Sequence, residues 1–520
     1  MKSFNACGWC ETTALVWQGC GTCAYNLRLH LLSSNLAGRK GRGAAMAERR
    51  EALILAREDA GHTQETLAAV LGVDRTTVAR WESGGHRPLP HQWPELGRVL
   101  GRPVADVRAF FGQGSPEAGG SALTSAFDWL DRSAGWVAGT ARRAVRPKSG
   151  RERRIGRRAE EAEVLRQFYG APEGEHFYFD AEVGGELVTT SVVTRPDWTD
   201  LRCALDAQRD VLVLDARVAA AQRAGTTDAA LTRLTEAAAS DVRIADRPLY
   251  RLLDVDVCAD HVGGTVGTTS FVEYALGPDL LERELAAGET LLRSELLPDF
   301  AGVLDARSRL CAGGVLALTA IARPADPVRG EADYLLLVQE RSGHVVNGSG
   351  RLAVIPKGFH GPLADQRGDA RIGATLRREL EEELFGRDEV DTTTEVQRAA
   401  DPMHPARLSE PMRWLMAEPD RIQMECTGFG FNLVSGNYEF ATLVVIEDEE
   451  FWPRFGGVVE ANWEVSGLRQ YSSLDRELVG ELITDEKWTN EGLFAFLLGL
   501  RRLSEIGGAR VALPPIDLRC

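Results

Sequence analysis

The clearest hydrophobic pattern lies between residues 62 and 84, where apolar positions recur at helical spacing in two short bursts. Thr63 offers a hydroxyl cap to Gln64–Leu71, in which Leu67, Ala68 and Leu71 share one face. Gly72 can take the φ > 0 that ends a helix, Val73 is an apolar plug, and Asp74 can cap a second helix over Arg75–Glu82. Val78 and Trp81, three apart, face inward, so Arg75, Thr76, Thr77 and Arg80 point outward. The pattern predicts two helices meeting at a tight turn, the second exposing hydroxyl and guanidinium donors.

Two more amphipathic segments follow, His91–Leu100 and Val104–Phe111, and then a flexible stretch over Gly112–Gly120. The spacing predicts a helix over Leu123–Ala144, running into the basic stretch Arg142–Arg158, which reads as a solvated linker. From about Ala159 to Glu289 the pattern mixes strands at His176–Asp180, Leu187–Thr194 and Leu249–Val257 with helices at Val218–Ala238 and Pro278–Ala287. Beyond it, Val315–Ala322, Tyr334–Gln339 and Leu352–Ile355 are β-rich runs. Arg371–Leu384 reads as a helix with one buried stripe, Ile372, Leu376, Leu380 and Leu384. Phe429–Val434 and Tyr438–Ile446 form a hairpin pattern, Trp488–Ile506 a last amphipathic helix, and the tail to Cys520 little structure.

A chain of 520 residues with 44% hydrophobic positions has room for two to four domains with real cores. Its 60 Lys and Arg against 76 Asp and Glu give a formal charge of −16, so most of the surface repels nucleic acid and any contact with it must be local. No apolar run approaches the roughly 18 residues of a membrane span, and the first residues make a poor secretory signal, so a cytoplasmic protein without a membrane partner is expected.

From Met46 to about Phe111 the chain resembles the helix-turn-helix of the Cro and lambda-repressor (XRE) family. The likeness runs from a leading helix at Arg49–Ala60 through Thr63-Gln64, the Gly72-Val73 turn and the Val78, Trp81, Glu82, Gly84 pattern. It implies double-stranded DNA as partner, with Gln64 on phosphate, Arg75, Thr76 and Thr77 at base edges, and Arg80 on backbone or a base. One short helix reads only a few base pairs, so a homodimer on a two-fold site is expected. The basic stretch could then add phosphate contacts. The alternative is an ordinary helical hairpin in a larger core, against which stands the scarcity of acidic residues on the outward face.

Cys7, Cys10, Cys20 and Cys23 form two Cys-x2-Cys knuckles nine residues apart, a spacing suited to tetrahedral zinc. The same cysteines fit a free or redox-active set, or an extension without a folded role, because Met46 stands just before the first helix.

Glu379, Glu382 and Glu383 stand at i, i+3 and i+4 on the predicted helix. Like charges so placed cost roughly a few tenths of a kcal/mol per pair unless a divalent cation, magnesium or manganese, sits among them. An acidic helix balanced by Arg377, Arg378 and Arg387 is the simpler reading. The run Arg378-Glu379-Leu380-x-Glu382-Glu383, after strand, Pro356-Lys357-Gly358 and loop, resembles the core of the Nudix box, over roughly Gly313–Gly499. That family uses helix carboxylates to hold metals that activate water on a diphosphate. Ala370 stands where the upstream glutamate belongs and Gly386 falls one residue late, departures that favour binding over turnover.

The expected protein is multidomain: an all-α helix-turn-helix domain, then an α+β region ending in a Nudix-like mixed-sheet sandwich. The expected divisions are a Cys-rich extension (1–45), the helix-turn-helix (46–112), a linker (113–160), a middle region (161–300) and the Nudix-like part (301–510). Together they read as a bacterial-type transcriptional regulator sensing a nucleotide-derived ligand. The alternative is a metal-dependent hydrolase of a nucleoside diphosphate derivative with an autoregulatory DNA-binding domain.

Overall fold

The computed structural model describes residues 50–110, 123–145, 157–216, 226–385, 403–459 and 465–519, apart from gaps at 72, 74, 83–87, 89–91, 103–106, 108–109, 241, 243, 343–344 and 457–458. The four N-terminal cysteines, Gly72, Asp74, Gly84, the Gly112–Gly120 stretch, Gly386 and Arg387 lie outside the described residues.

Helices α1 (Glu51–Asp59), α2 (Gln64–Leu71), α3 (Arg75–Glu82) and α4 (Gln92–Leu100) close over one small core. Leu53, Ala56, Leu67, Ala68, Val78, Trp81, Leu96 and Leu100 fill it, the inward set that helical spacing assigns. Thr63 caps α2 reciprocally: its Oγ1 accepts from the Thr66 N–H at 3.1 Å, and its own N–H donates to Thr66 Oγ1 at 2.8 Å.

The single helix expected over Leu123–Ala144 is two, Thr124–Ser133 and Thr140–Ala144. Gly135 and Gly139 take φ of 68° and 81°, and the buried Asp131 carboxylate accepts from the N–H groups of Gly139 and Ala141 at 2.5 and 2.8 Å. A left-handed turn capped from within thus replaces continuous helix. The basic stretch also ends differently. Arg158 begins the helix Arg158–Tyr169 with only 2% of its surface exposed, donating to the Thr189 carbonyl and, at 2.8 Å, to Glu486.

The remaining strands are β1 (Phe177–Val183), β2 (Glu186–Thr194), β3 (Cys203–Ala204), β4 (Val213–Leu214), β5 (Pro248–Cys258), β6 (His261–Ser270), β7 (Gly313–Arg323), β8 (Asp333–Arg341), β9 (Leu352–Val354), β10 (Lys357–Phe359), β11 (Ile422–Asn432), β12 (Asn437–Ile446), β13 (Val465–Ser472) and β14 (Ile516–Arg519). Eleven of them form one mixed sheet along the path β13-β8-β7-β12-β11-β2-β1-β14, with β10 on β7, β3 on β11 and β9 on β8. The β7–β12 pair is parallel, the others antiparallel. β4, β6 and β5 make a second, small sheet.

Strand β7 is buried at every position because both faces are covered. Leu316, Leu318 and Ala320 pack with the helix Asn490–Ile506, while Val315, Ala317 and Ile321 pack with Ile372, Leu376, Leu380 and Leu384. The amphipathic helix expected at the C-terminal end is therefore buried on all sides from Asn490 to Leu500. The tail is not loose: β14 pairs with β1, Val183 opposite Ile516. Long-range pairing decides this, and local pattern cannot see it. Likewise β1 and β2 from the middle region join β11 of the C-terminal part, so the division expected at 300/301 runs through one continuous sheet.

Candidate nucleic-acid interface and ligand cleft

The sequence pattern around α3 is realised in three dimensions. Val78 and Trp81 are 0% and 2% exposed, and Arg75, Thr76 and Arg80 stand on the solvent side. Thr77 is half-buried, between the two faces. Arg75 lies 3.7 Å from Glu65 of α2, an ion pair whose partners are both largely exposed and which water screens strongly.

Gln64, to which the resemblance gives a phosphate contact, also has a partner inside the protein. Its Nε2 donates to Glu82 Oε2 at 2.7 Å, across the turn from α2 to the end of α3. Glu82 also receives the Arg57 Nε at 2.5 Å, and Arg57 Nη1 donates to the His62 carbonyl at 2.7 Å. A buried ion pair thus ties α1, the loop before α2 and the end of α3 together. Sequence reasoning passed over Arg57, and it named Glu82 only as part of the pattern closing α3, not as the partner of Arg57. The signal was present, since Arg57 follows the core positions Leu53 and Ala56 at helical spacing and Glu82 follows Trp81.

The acidic helix is Ile372–Glu379, continuing into a π-helical turn at Leu380–Leu384. The buried stripe is present, but the opposite side is buried too: Glu381, Glu382 and Glu383 are 0%, 6% and 1% exposed. Each carboxylate has its own surroundings. Glu379 Oε1 accepts from Arg378 Nη2 at 2.9 Å, Glu383 Oε2 from the Lys357 N–H at 2.7 Å, and Glu381 from the Ser409 N–H and hydroxyl at 2.5 and 2.7 Å. Burial draws the Arg378 pKa down, but the charges of Glu379 and Glu382 more than offset it and raise it. Oxygen donors such as these suit magnesium.

Glu379 does line a small cleft that opens to solvent. Its floor is the β7–β10 pairing, where Gly314 lies opposite Phe359 and Gly358 opposite Val315. Two glycines make room there. A Cβ on Gly358 would overlap the Glu379 carboxylate, and one on Gly314 would come 2.6 Å from the Gly358 carbonyl oxygen. Lys357 Nζ pairs with Glu491 Oε1 at 2.5 Å, and Asn432 Nδ2 donates to Glu491 Oε2 at 2.9 Å. Burial alone would push the Glu491 carboxyl up, but Lys357 holds it below the usual carboxylate range. Glu439, also in the lining, is pushed well above that range by burial and by the neighbouring Glu491 charge. Glu439 and Lys357 belong to the cleft through strand pairing, which the linear sequence does not display.

No helix among the described residues is long and apolar enough to cross a membrane. Comparison with curated proteins finds no match. Residues 53–107 match the helix-turn-helix family model, and with α2 and α3 packed on Val78 and Trp81 this segment is an XRE-type helix-turn-helix, the architecture of DNA-binding regulators.

Proposed function

We propose that the chain is a sequence-specific DNA-binding transcriptional regulator whose C-terminal, Nudix-like part senses a nucleotide-derived ligand. One observation carries the DNA reading: Arg75, Thr76 and Arg80 stand exposed on a helix whose opposite face is anchored by Val78 and Trp81. Arginine and threonine of this kind meet base edges and phosphates in a major groove, each good base contact contributing on the order of 1 to 3 kcal/mol. A helix of eight residues contacts few base pairs, so two copies on a two-fold site are proposed. Selection of bound DNA from a random pool by the full-length protein tests this. A palindromic site is the expected result, and recovery of no preferred sequence would remove the reading.

The second reading, a hydrolase, is favoured by Glu379 lining the cleft beside Gly358. A panel of dinucleotides and sugar nucleotides with magnesium separates the two. Product release lost in Glu382→Gln and Glu383→Gln variants supports the hydrolase. A nucleotide that alters DNA affinity without being cleaved supports the sensor, by binding two states of the protein unequally.

A further inference from the structure

A second, larger cavity lies apart from the Glu379 cleft and shares none of its described lining. It is open to solvent, has a volume of about 520 Å³, and is bounded by the helix Thr124–Ser133, strand β6 and the turn from β11 to β12. That volume falls within the roughly 300–1,000 Å³ of small-molecule sites. The cavity follows a seam between two hydrophobic cores. Trp129 and Leu310 pack on one of them and Leu296 on the other, yet all three are only half-buried, so apolar surface in the seam is left uncovered by either core. Ser435 points to an occupant. Only 5% of its surface is exposed, and its hydroxyl has no hydrogen-bond partner among the described residues, so water or a ligand must complete it. Thr268 and Ser308 add hydroxyls to the same lining that likewise bond to no described residue.

The charges in the lining favour a neutral occupant. Arg251 and Arg309 are matched in number by Glu273 and Glu295. Both guanidinium groups are engaged by the backbone: Arg251 Nη1 donates to the Arg309 carbonyl at 3.0 Å, and Arg309 donates to the carbonyls of Val303 and Gly436 at 2.8 and 2.6 Å. Glu273 accepts from the Thr269 hydroxyl at 2.8 Å. An ion entering the seam would give up hydration without gaining an opposite charge, whereas a neutral molecule gains hydroxyl partners and covers apolar surface.

We infer that this cavity binds a neutral hydroxylated molecule with an apolar body, its polar groups at Ser435 and Thr268 and its apolar part in the seam beside Leu296 and Leu310. The site is separate from the cleft of the ligand-sensing reading and does not depend on it. Nucleosides and aryl glycosides share that chemistry.

The test is calorimetric titration of the full-length protein with adenosine, phenyl β-glucoside and their phosphorylated counterparts, adenosine 5′-monophosphate and phenyl β-glucoside 6-phosphate. At least one neutral probe is expected to bind, which one does so identifies the source, and its phosphorylated counterpart is expected to bind about tenfold or more weaker. Ser435→Ala is expected to weaken the neutral probe about fivefold or more by removing one hydroxyl partner. Thr268→Trp, at an exposed position of β6, is expected to abolish its binding by filling the cavity, with unaltered circular dichroism and melting. Two variants guard against one that fails to fold. Binding of neither neutral probe would overturn this assignment, as would binding that neither variant affects or a phosphorylated counterpart bound as tightly as the neutral probe. The ligand-sensing reading is decided separately by the diphosphate panel.

Discussion

Arg57 and Glu82 form an ion pair at 2.5 Å with side chains only 9% and 5% exposed, and this pair joins the first helix of the DNA-binding unit to the end of the third. Gln64 completes it from the second helix. The orientation of α3, and so of Arg75 and Thr76, depends on a polar clasp as well as on Trp81.

Breaking the clasp from one side leaves a buried charge. Arg57→Ala is expected to cost about 3 kcal/mol or more in the stability of this unit, with DNA binding lost at temperatures the wild type tolerates. Replacing Arg57 and Glu82 together by methionine and leucine should recover most of the loss. Hydrogen exchange of the α3 amides reads both.

Arg158 and the basic residues before it should behave differently. Arg158 is buried against Thr189 and Glu486, so Arg158→Ala is expected to destabilise by about 3 kcal/mol without altering the salt dependence of DNA affinity. Neutralising the arginines at 151, 153 and 154 should leave stability unchanged and, where they meet phosphates, flatten that dependence. Denaturant unfolding and binding at several salt concentrations separate the cases.

His360 provides a pH test. Its ring, fully buried, is placed to donate to the Ala370 carbonyl and accept from the Tyr438 hydroxyl, each at 2.9 Å, and burial pushes its pKa down to about 3. The unfolded chain binds that proton near pH 6.5 and the folded one does not, so stability is full above 6.5 and falls as pH drops toward 3, by about 1.4 kcal/mol per unit within that window. His360→Gln should be less stable at pH 7 but show a shallower slope between pH 6 and 4 in denaturant titrations.

Gly358 tests the cleft. A methyl group there would meet the Glu379 carboxylate, so Gly358→Ala is expected to displace that side chain and abolish cleft binding in calorimetry while leaving DNA affinity without ligand unchanged. Unchanged ligand binding would place the site elsewhere.

What could be read from the sequence follows the range of the interactions. The helix-turn-helix was legible because its core positions, caps and outward residues repeat within one or two turns, and Thr63, Val78 and Trp81 act where spacing puts them. Eight of the fourteen described strands were also legible as apolar runs; β3, β4, β10, β13 and β14 were missed, as was β6, whose Gly263, Gly264 and three threonines lack that signature. Sheet order was not legible. β1 is flanked by residues 186–194 on one side and 516–519 on the other, a pairing that no local pattern encodes. The cleft was half-legible: Glu379 lies on a helix that periodicity reveals, but Arg247, Phe271 and Glu439 reach it from strands and a hairpin far apart in the chain.

The claim on which the rest depends is that α3 reads base pairs. The most direct measurement is the affinity of full-length wild type, Arg75→Ala and Thr76→Ala for the selected site, its single-base variants and unrelated DNA at one salt concentration. The expected result is a loss of about tenfold or more on the selected site for Arg75→Ala, with a far smaller loss on unrelated DNA, so that discrimination collapses at the bases it faces. Discrimination equal to the wild type in both variants would contradict the account.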